Sequence, residues 1–175
     1  RVDPFLGPEM KSTGQVMCIG NTLDEALYKA LISANIILPQ SGNILLSITD
    51  REKSEALKLA KELIDMGYNL YATEGTYSYL SPKLGAIHLL TKKEAPICIR
   101  DETIHMVINM PTNGQDPSTD GFLIRRTAME FDIPCITCLS TAIWALRAIK
   151  TIRDKNNIHP LNNHNRSNTN VFHLK

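Results

Sequence analysis

The sequence predicts an α/β fold built on a doubly wound, five-stranded parallel sheet. Between residues 39 and 150, short apolar runs alternate with longer amphipathic segments, a pattern typical of strands that alternate with helices in a parallel sheet. Helix signals separate these runs: Thr49 and Glu52 form a capping box, and Gly67 is suited to end the helix that follows. Because crossover connections are right-handed, all strands should end at the same edge of the sheet.

The elements follow one another in a regular order. Five apolar runs are predicted as strands, at residues 43–48, 68–73, 86–90, 105–110 and 134–139. Helices are predicted after the first strand, from Thr76 to about Leu84, from Phe122 to Phe131 and from Thr141 to about Arg153. The segment after the third strand is too short for a full crossover helix, so we expect only one turn there.

The two ends of the chain differ from this central region. Residues 1–38 combine a turn-rich opening with one amphipathic segment, which starts at a capping box formed by Thr22 and Glu25. A single helix on such a lead cannot bury its apolar face, so we interpret it as the end of a preceding domain of a longer protein. Residues 151–175 are Asn-rich and aperiodic, which predicts a disordered tail.

The composition argues against several classes of protein. A net charge of +1 argues against nucleic acid as a partner, because nucleic-acid binding usually requires a basic face. No apolar run approaches the roughly 20 residues that span a bilayer, and the opening residues do not form a signal peptide. The 4 cysteines fit a reduced, cytoplasmic chain better than a secreted disulfide scaffold.

Polar residues gather where the predicted strands end, which is where open α/β sheets bind ligands. Hydroxyls, an amide and lysines from separate segments should meet there, next to the N-termini of helices. That combination predicts a site for an anion, most simply a phosphate monoester. The candidates are Ser47, Lys53, Thr73, Gly75, Thr76, Lys92, Lys93, Asn109, Thr137, Ser140 and Thr141.

The turn at residues 73–76 is the centre of this prediction. Gly75 would let the backbone approach a ligand and expose its N–H groups. Thr73 and Thr76 would add hydroxyl donors on either side. The alternative is that Thr76 is an ordinary helix N-cap.

The other candidates also have alternative explanations. Lys53 stands at the helix end that disfavours cations, so it either faces an anion or pairs with Glu52 or another nearby carboxylate. Asn109 ends an apolar strand, and its buried amide needs partners from a ligand or from the next loop. One of Arg125 and Arg126 is expected to face the site or an adjoining domain, and the other to pair with a nearby acid.

No catalytic or metal-binding set is predicted. A lyase acting on a phosphorylated sugar needs a carboxylate base beside the phosphate. The available acids are Glu74, Asp116 and Asp120. Glu74 lies at the turn without a clear activating neighbour, and Asn109 cannot act as a base. Cys135 and Cys138 have a redox or zinc spacing. They fall within a predicted strand rather than at a helix N-terminus, however, and a zinc ion would lack two further ligands.

Several stretches of the sequence, including the turn at residues 73–76, resemble a known family. The stretch "VDPFLGPEMKSTGQVM" resembles the segment that closes the second ATP-grasp half of the large subunit of carbamoyl-phosphate synthase. The stretches "LLSI", "YATEGT", "VINMPTNG" and "DGFLIRRTA" resemble the C-terminal allosteric domain of that subunit, which has the methylglyoxal-synthase-like fold. The resemblance covers about residues 1–150, and methylglyoxal synthases and purine cyclohydrolases lack the first stretch.

The resemblance implies a regulatory fragment that is itself non-catalytic and holds no cofactor. The family makes carbamoyl phosphate from bicarbonate, glutamine-derived ammonia and ATP, with Mg or Mn, and the ATP sites and the small glutaminase subunit lie outside this chain. In bacterial members the domain binds UMP or IMP, and ornithine binds at its junction with the ATP-grasp half. Urea-cycle members bind N-acetylglutamate instead. The parent enzyme would be oligomeric and serve pyrimidine or arginine biosynthesis.

The resemblance also assigns residues by position. The phosphate-site positions are Ser47, Lys53, Thr73, Gly75, Thr76, Lys92 and Asn109, and Thr137 matches an ornithine contact. Cys135 stands where the family pattern has a tyrosine, and Met110 and Pro111 replace threonines after the asparagine. Two alternatives therefore stand beside the regulatory hypothesis: a free-standing lyase of the methylglyoxal-synthase type, and a structural domain that mediates subunit contacts without binding an effector.

Overall fold

The computed structural model describes residues 16–34, 36–111 and 120–157. Five parallel strands form one sheet in the order β3-β2-β1-β4-β5, which confirms the predicted fold class. The strands are β1 (Asn43–Ser47), β2 (Asn69–Ala72), β3 (Ile87–Leu89), β4 (Met106–Asn109) and β5 (Cys135–Ile136).

Helices connect the strands on both faces of the sheet. Within the described residues they are α1 (Leu23–Ser33), α2 (Lys53–Asp65), α3 (Glu74–Leu84), α4 (Ala95–Arg100), α5 (Asp120–Glu130) and α6 (Leu139–Asn157). A 3₁₀ turn, Asp50–Glu52, joins β1 to α2. The short α4 agrees with the single turn expected after the third strand. None of the described helices has the length and apolar character needed to cross a membrane.

The core consists of two apolar layers, one on each face of the sheet. Ile44 and Leu46 of β1 pack with the apolar residues of α2, α3 and α6. Leu45, between them, points to the opposite face and packs with residues of α4 and α5, such as Ile99 and Ile124. Successive side chains of a strand alternate between faces, so an uninterrupted apolar run supplies both layers of a doubly wound sheet.

Two helix boundaries differ from the prediction. Helix α3 begins at Glu74, so Gly75 and Thr76 lie in its first turn rather than before it. Helix α6 begins at Leu139, and β5 is correspondingly short. Cys138 therefore lies at the N-terminus of α6, and the prediction that it belongs to a strand is wrong.

The predicted ends of the chain are described only in part. Thr22 caps α1 by accepting a hydrogen bond from the Glu25 N–H (3.2 Å), and α1 lies against α6, where an ion pair joins Asp24 to Arg147 (3.5 Å). Helix α6 continues to Asn157, so residues 151–157 of the predicted tail are helical. Most of the ATP-grasp-like stretch and residues 112–119 and 158–175 lie outside the described residues.

Candidate phosphate-binding site

The strand order places a crevice between β1 and β4. The strands that follow β1 in the chain, β2 and β3, lie on one side of it, whereas β4 and β5 lie on the other side. The chain therefore winds away from the β1–β4 pair in opposite directions. Ligands of open α/β sheets bind at such a switch point, outside the carboxyl ends of the strands. Ser47 and Asn109 are the last residues of β1 and β4 and are paired in register, so two of the predicted site residues flank the crevice.

The N-terminus of α3 opens onto the same edge. Its N-cap residue, Thr73, has an extended backbone, and the Thr73 side chain does not cap the helix. The first intrahelical bond runs from the Tyr77 N–H to the Thr73 carbonyl oxygen (2.7 Å). The preceding N–H groups, of Glu74, Gly75 and Thr76, have no carbonyl one turn earlier to bond to. They form the positive end of the helix dipole and can donate to an anion.

Lys53 brings a full positive charge to this turn. Its ammonium nitrogen lies 3.8 Å from the position that a Cβ atom on Gly75 would occupy. The side chain is only 14% exposed, and its Nζ also lies 5.8 Å from the centre of the Tyr79 ring. The absence of a side chain at residue 75 thus leaves room between the ammonium group and the first turn of α3. This is the space in which both could contact a phosphate group.

The hydroxyls of Thr73 and Thr76 are buried and contact other groups of the protein. Thr76 Oγ1 accepts a hydrogen bond from the Ile48 N–H (2.9 Å) and lies 3.5 Å from Thr73 Oγ1. The Thr73 N–H donates to the Leu46 carbonyl oxygen (3.0 Å). Thr76 is therefore not the N-cap of α3, as the alternative explanation supposed. Its hydroxyl ties the first turn of α3 to the end of β1.

The amide of Asn109 is buried and has partners on α5. Its Nδ2 donates to the Gly121 carbonyl oxygen (3.2 Å), and its Oδ1 accepts from Arg125 Nη1 (3.1 Å). A Cβ atom on Gly121 would lie 3.5 Å from Arg125 Nη1, an ordinary van der Waals distance, so Gly121 lies directly beside this contact. As expected, one of the two arginines faces the site; Arg126 instead pairs with Glu130 (2.7 Å).

The backbone of Lys92 contacts the first turn of α3. Its N–H donates to Glu74 Oε1 (3.3 Å) in the first turn of α3. The side chains of Lys92 and Lys93 are both exposed to solvent. Glu74 is thus engaged in joining the segment after β3 to α3. The contact that the structure describes between these lysines and the turn is made by the Lys92 backbone.

Thr137 lies in a different cleft, between α5 and β5. This cleft has a volume of about 550 Å³. Its lining is mostly apolar, with a few charged groups, and consists of Phe122, Arg125, Arg126, Met129, Glu130, Cys135 and Thr137. The structure separates Thr137 from the Gly75 turn and groups it with Cys135. Arg125 belongs to this cleft and also contacts Asn109, so it links the two regions.

Lys53 pairs with a nearby carboxylate, which is one of the alternatives that the sequence left open, but that carboxylate is Asp50 rather than Glu52. Asp50 Oδ1 lies 2.6 Å from Lys53 Nζ, whereas the carboxylate named in the prediction, Glu52, accepts a hydrogen bond from Thr49 Oγ1 (2.8 Å). The hydrogen bond from Lys53, and then its charge, lower the pKa of Asp50. The three-residue spacing of Asp50 and Lys53 in the sequence indicates this pair, because residues three apart lie close together on a helical turn.

The two cysteines near β5 differ in their surroundings. Burial raises the pKa of Cys135 to about 11. Hydrogen bonds, first from the Ser140 hydroxyl and then from backbone N–H groups, lower the pKa of the exposed Cys138 to about 7. Among the described residues, no group of three or more His, Cys, Asp and Glu side chains is arranged to hold a metal ion.

Comparison with known proteins supports both the fold and the resemblance. A family model described as an MGS-like domain, after methylglyoxal synthase, matches residues 55–137. The chain contains an MGS-like domain. Its fold is similar to the crystal structure of methylglyoxal synthase from Elizabethkingia anophelis NUHP1, with a TM-score of 0.52 over 62% of this chain and 79% of that one. The sequence identity there is 21%, so this likeness concerns the fold alone.

A closer sequence match extends beyond the MGS-like domain. The C-terminal section of the carbamoyl phosphate synthase large chain of Aquifex aeolicus (strain VF5) is 41% identical over 157 residues. The match covers 87% of this chain and 29% of that relative. This identity confirms the resemblance predicted from the sequence. The chain spans less than a third of the relative's length, so it matches only part of that protein.

Proposed function

We propose that this chain is the C-terminal regulatory region of a carbamoyl-phosphate synthase large subunit. Its MGS-like domain would bind a phosphate-bearing effector of the UMP or IMP type and modulate carbamoyl phosphate synthesis for pyrimidine or arginine biosynthesis. The chain would act with the preceding ATP-grasp domains, which bind ATP and Mg or Mn, and with the small glutaminase subunit. The similarity to the Aquifex aeolicus section supports this role.

The observation that carries the binding proposal is the position of Lys53. A nearly buried ammonium group stands over Gly75, at the uncapped N-terminus of α3. Both groups are positive, so together they attract an anion and disfavour a cation. A phosphate monoester has enough oxygens to accept from the ammonium group and from the free N–H groups at once.

The carboxylates beside Lys53 and the first turn of α3 are engaged by the protein itself, and Asp50 pairs with Lys53 (2.6 Å). Glu74 is engaged with the Lys92 N–H, and Asn109 is held by two hydrogen bonds and cannot accept a proton from carbon. Met110, which replaces a hydroxyl residue of the family pattern, is buried in the core. The ligand would therefore be held without being transformed, as an effector is.

Titration calorimetry of the whole 175-residue chain tests the proposal. UMP and IMP should bind, and uridine, which lacks the phosphate, should bind much more weakly. Lys53→Gln should weaken UMP binding at least about tenfold, since a charge-assisted contact to phosphate is lost. Lys61→Gln, an exposed lysine on the same helix, is the matched control and should bind like the unaltered chain.

Two outcomes would contradict the proposal. If millimolar UMP and IMP produce no heat and no thermal stabilisation, the domain has no such effector, and a structural role in subunit contacts becomes the better explanation. If the chain converts dihydroxyacetone phosphate to methylglyoxal, it is a lyase.

A further inference from the structure

Lys53 is held in a position that needs a counter-ion. Its ammonium group lies beside the first turn of α3, 3.8 Å from the Cβ position of Gly75, and its side chain is 14% exposed. The N-terminus of a helix carries a partial positive charge, so a lysine at this place is repelled unless an anion accompanies it. Tyr79, whose ring centre is 5.8 Å away, contributes a weaker attraction.

Asp50 supplies that counter-ion from within the chain. Its Oδ1 lies 2.6 Å from Lys53 Nζ, and this is the ion pair that the structure describes for either residue. The Asp50 side chain is 94% exposed. It projects from the 3₁₀ turn Asp50–Glu52, between β1 and α2. The carboxylate is therefore in contact with solvent while it pairs with the ammonium group.

We propose that Asp50 is a built-in competitor that a phosphate group must displace from Lys53. This inference rests on the proposed phosphate site and adds a residue that sets its affinity. The carboxylate and the phosphate are both anions, so they cannot share one ammonium group at close range without repulsion. Because Asp50 is almost fully exposed, its side chain can rotate into water without disturbing the packing around it. Binding thus exchanges one ion pair for another, which lowers the net affinity.

The prediction is that removal of the competitor tightens binding. Asp50→Asn should increase the affinity for UMP by about 1.5- to fivefold, the range expected when an exposed ion pair no longer has to be broken. The effect should be similar for IMP and inorganic phosphate, which share the phosphate group, and absent for uridine. Glu55→Gln removes the same charge from an exposed position in the first turn of α2 and should leave the affinity unchanged.

A double-mutant cycle tests whether Asp50 changes the affinity through Lys53. Calorimetry with UMP is performed on the full chain carrying Asp50→Asn, Lys53→Gln or both. If Asp50 acts through Lys53, Asp50→Asn tightens binding in the unaltered chain and has little effect in the Lys53→Gln background. An equal gain in both backgrounds would mean that Asp50 acts only through the general field of the protein, and would overturn the inference.

These measurements distinguish a failure of the phosphate-site proposal from a failure of the proposal that Asp50 competes for Lys53. If the unaltered chain binds UMP through Lys53 but Asp50→Asn binds no more tightly than Glu55→Gln, the phosphate site stands and the competitor is refuted. If neither the unaltered chain nor Asp50→Asn binds UMP, IMP or inorganic phosphate, both proposals are refuted. Binding seen only with Asp50→Asn would support the phosphate site and the competitor, and would contradict an effector role in the unaltered chain.

Discussion

At the scale of single residues, Thr76 shows how a predicted ligand contact serves the fold. The residue lies in the first turn of α3, yet its hydroxyl is turned inwards to accept the Ile48 N–H. That N–H belongs to the segment just after β1, and the bond therefore fixes the distance between β1 and α3. A buried N–H that loses its acceptor destabilises a protein more than the bond itself stabilises it.

Thr76→Val should therefore destabilise the chain by about 1–3 kcal/mol, since the buried Ile48 N–H would lose its partner. Thr76→Ser keeps the hydroxyl and is the matched control. Urea unfolding followed by circular dichroism measures both free energies of unfolding. Equal losses for the two variants would show that the methyl group, rather than the hydroxyl, makes the important contact.

The Lys53–Asp50 pair also predicts a pH-dependent property of one residue. Lys53 lowers the pKa of Asp50, so the ion pair is complete above the ordinary pKa of an aspartate. It is lost as the pH falls through the lower value of the folded state. Lys53→Gln should raise the pKa of Asp50 towards its ordinary range, as measured from the carboxyl carbon signal in an NMR titration.

Glu94 provides an internal control for that titration. Its pKa is also lowered, but by hydrogen bonds from the Thr91 side chain and backbone, and the Thr91 hydroxyl lies 2.6 Å from Glu94 Oε2. Lys53→Gln should leave the Glu94 signal unchanged. An Asp50 titration that also stays unchanged would mean that the pair does not form in solution.

At the scale of elements, the start of α6 gives Cys138 its properties. The thiol lies just before Leu139, and the Ser140 hydroxyl is 2.9 Å from its Sγ. Hydrogen bonds from this first turn stabilise a thiolate, while the partly buried Cys135 on β5 keeps its proton. The C-x-x-C spacing thus joins two thiols of opposite reactivity, one on each element.

Cys138 should react with iodoacetamide at neutral pH about a hundredfold or more faster than Cys135, because only the thiolate is nucleophilic. Peptide mass spectrometry at several times of reaction measures both rates. Ser140→Ala should slow the reaction of Cys138, since the main hydrogen bond to the thiolate is lost. Similar rates for both cysteines in the folded chain would contradict this assignment.

Helix boundaries were the least predictable part of the elements, for a physical reason. The run at residues 134–139 is apolar throughout, and a short apolar run does not distinguish the end of a strand from the first turn of a helix. Leu139 is buried because it points into the core from α6. Gly75 was expected in a turn on account of its flexibility, but the chain winds into a helix before it, at Glu74.

At the scale of the whole molecule, the sequence predicted which residues share an edge but not which of them touch. Alternation of strands and helices was sufficient to place Ser47, Thr73 and Asn109 at the carboxyl ends of strands. The order of the strands decides which ends are neighbours, and it depends on long-range packing that no local pattern records. The partners of Asn109 on α5 follow it by 12 and 16 residues, a separation at which no local pattern predicts a contact.

The two layers of the core should unfold as one unit, because the central strand β1 contributes to both. Leu45 is fully buried on the face covered by α4 and α5. The single tryptophan of the chain, Trp144, lies on α6, which packs on the opposite face. Leu45→Ala should lower the free energy of unfolding by about 2–5 kcal/mol, the usual range for a buried leucine.

Because Trp144 and Leu45 lie on opposite faces of the sheet, Leu45→Ala tests whether the two layers of the core unfold together. Tryptophan fluorescence and circular dichroism should give the same urea midpoint for Leu45→Ala, although the altered residue and the fluorophore lie on opposite faces of the sheet. Leu123→Ala on α5, where the side chain is 48% exposed, is the control and should change the stability by less than about 1 kcal/mol. A fluorescence midpoint that stays at the value of the unaltered chain while the circular dichroism midpoint falls would show that the two layers unfold separately. An effector bound at the edge of β1 could then stabilise only one of them.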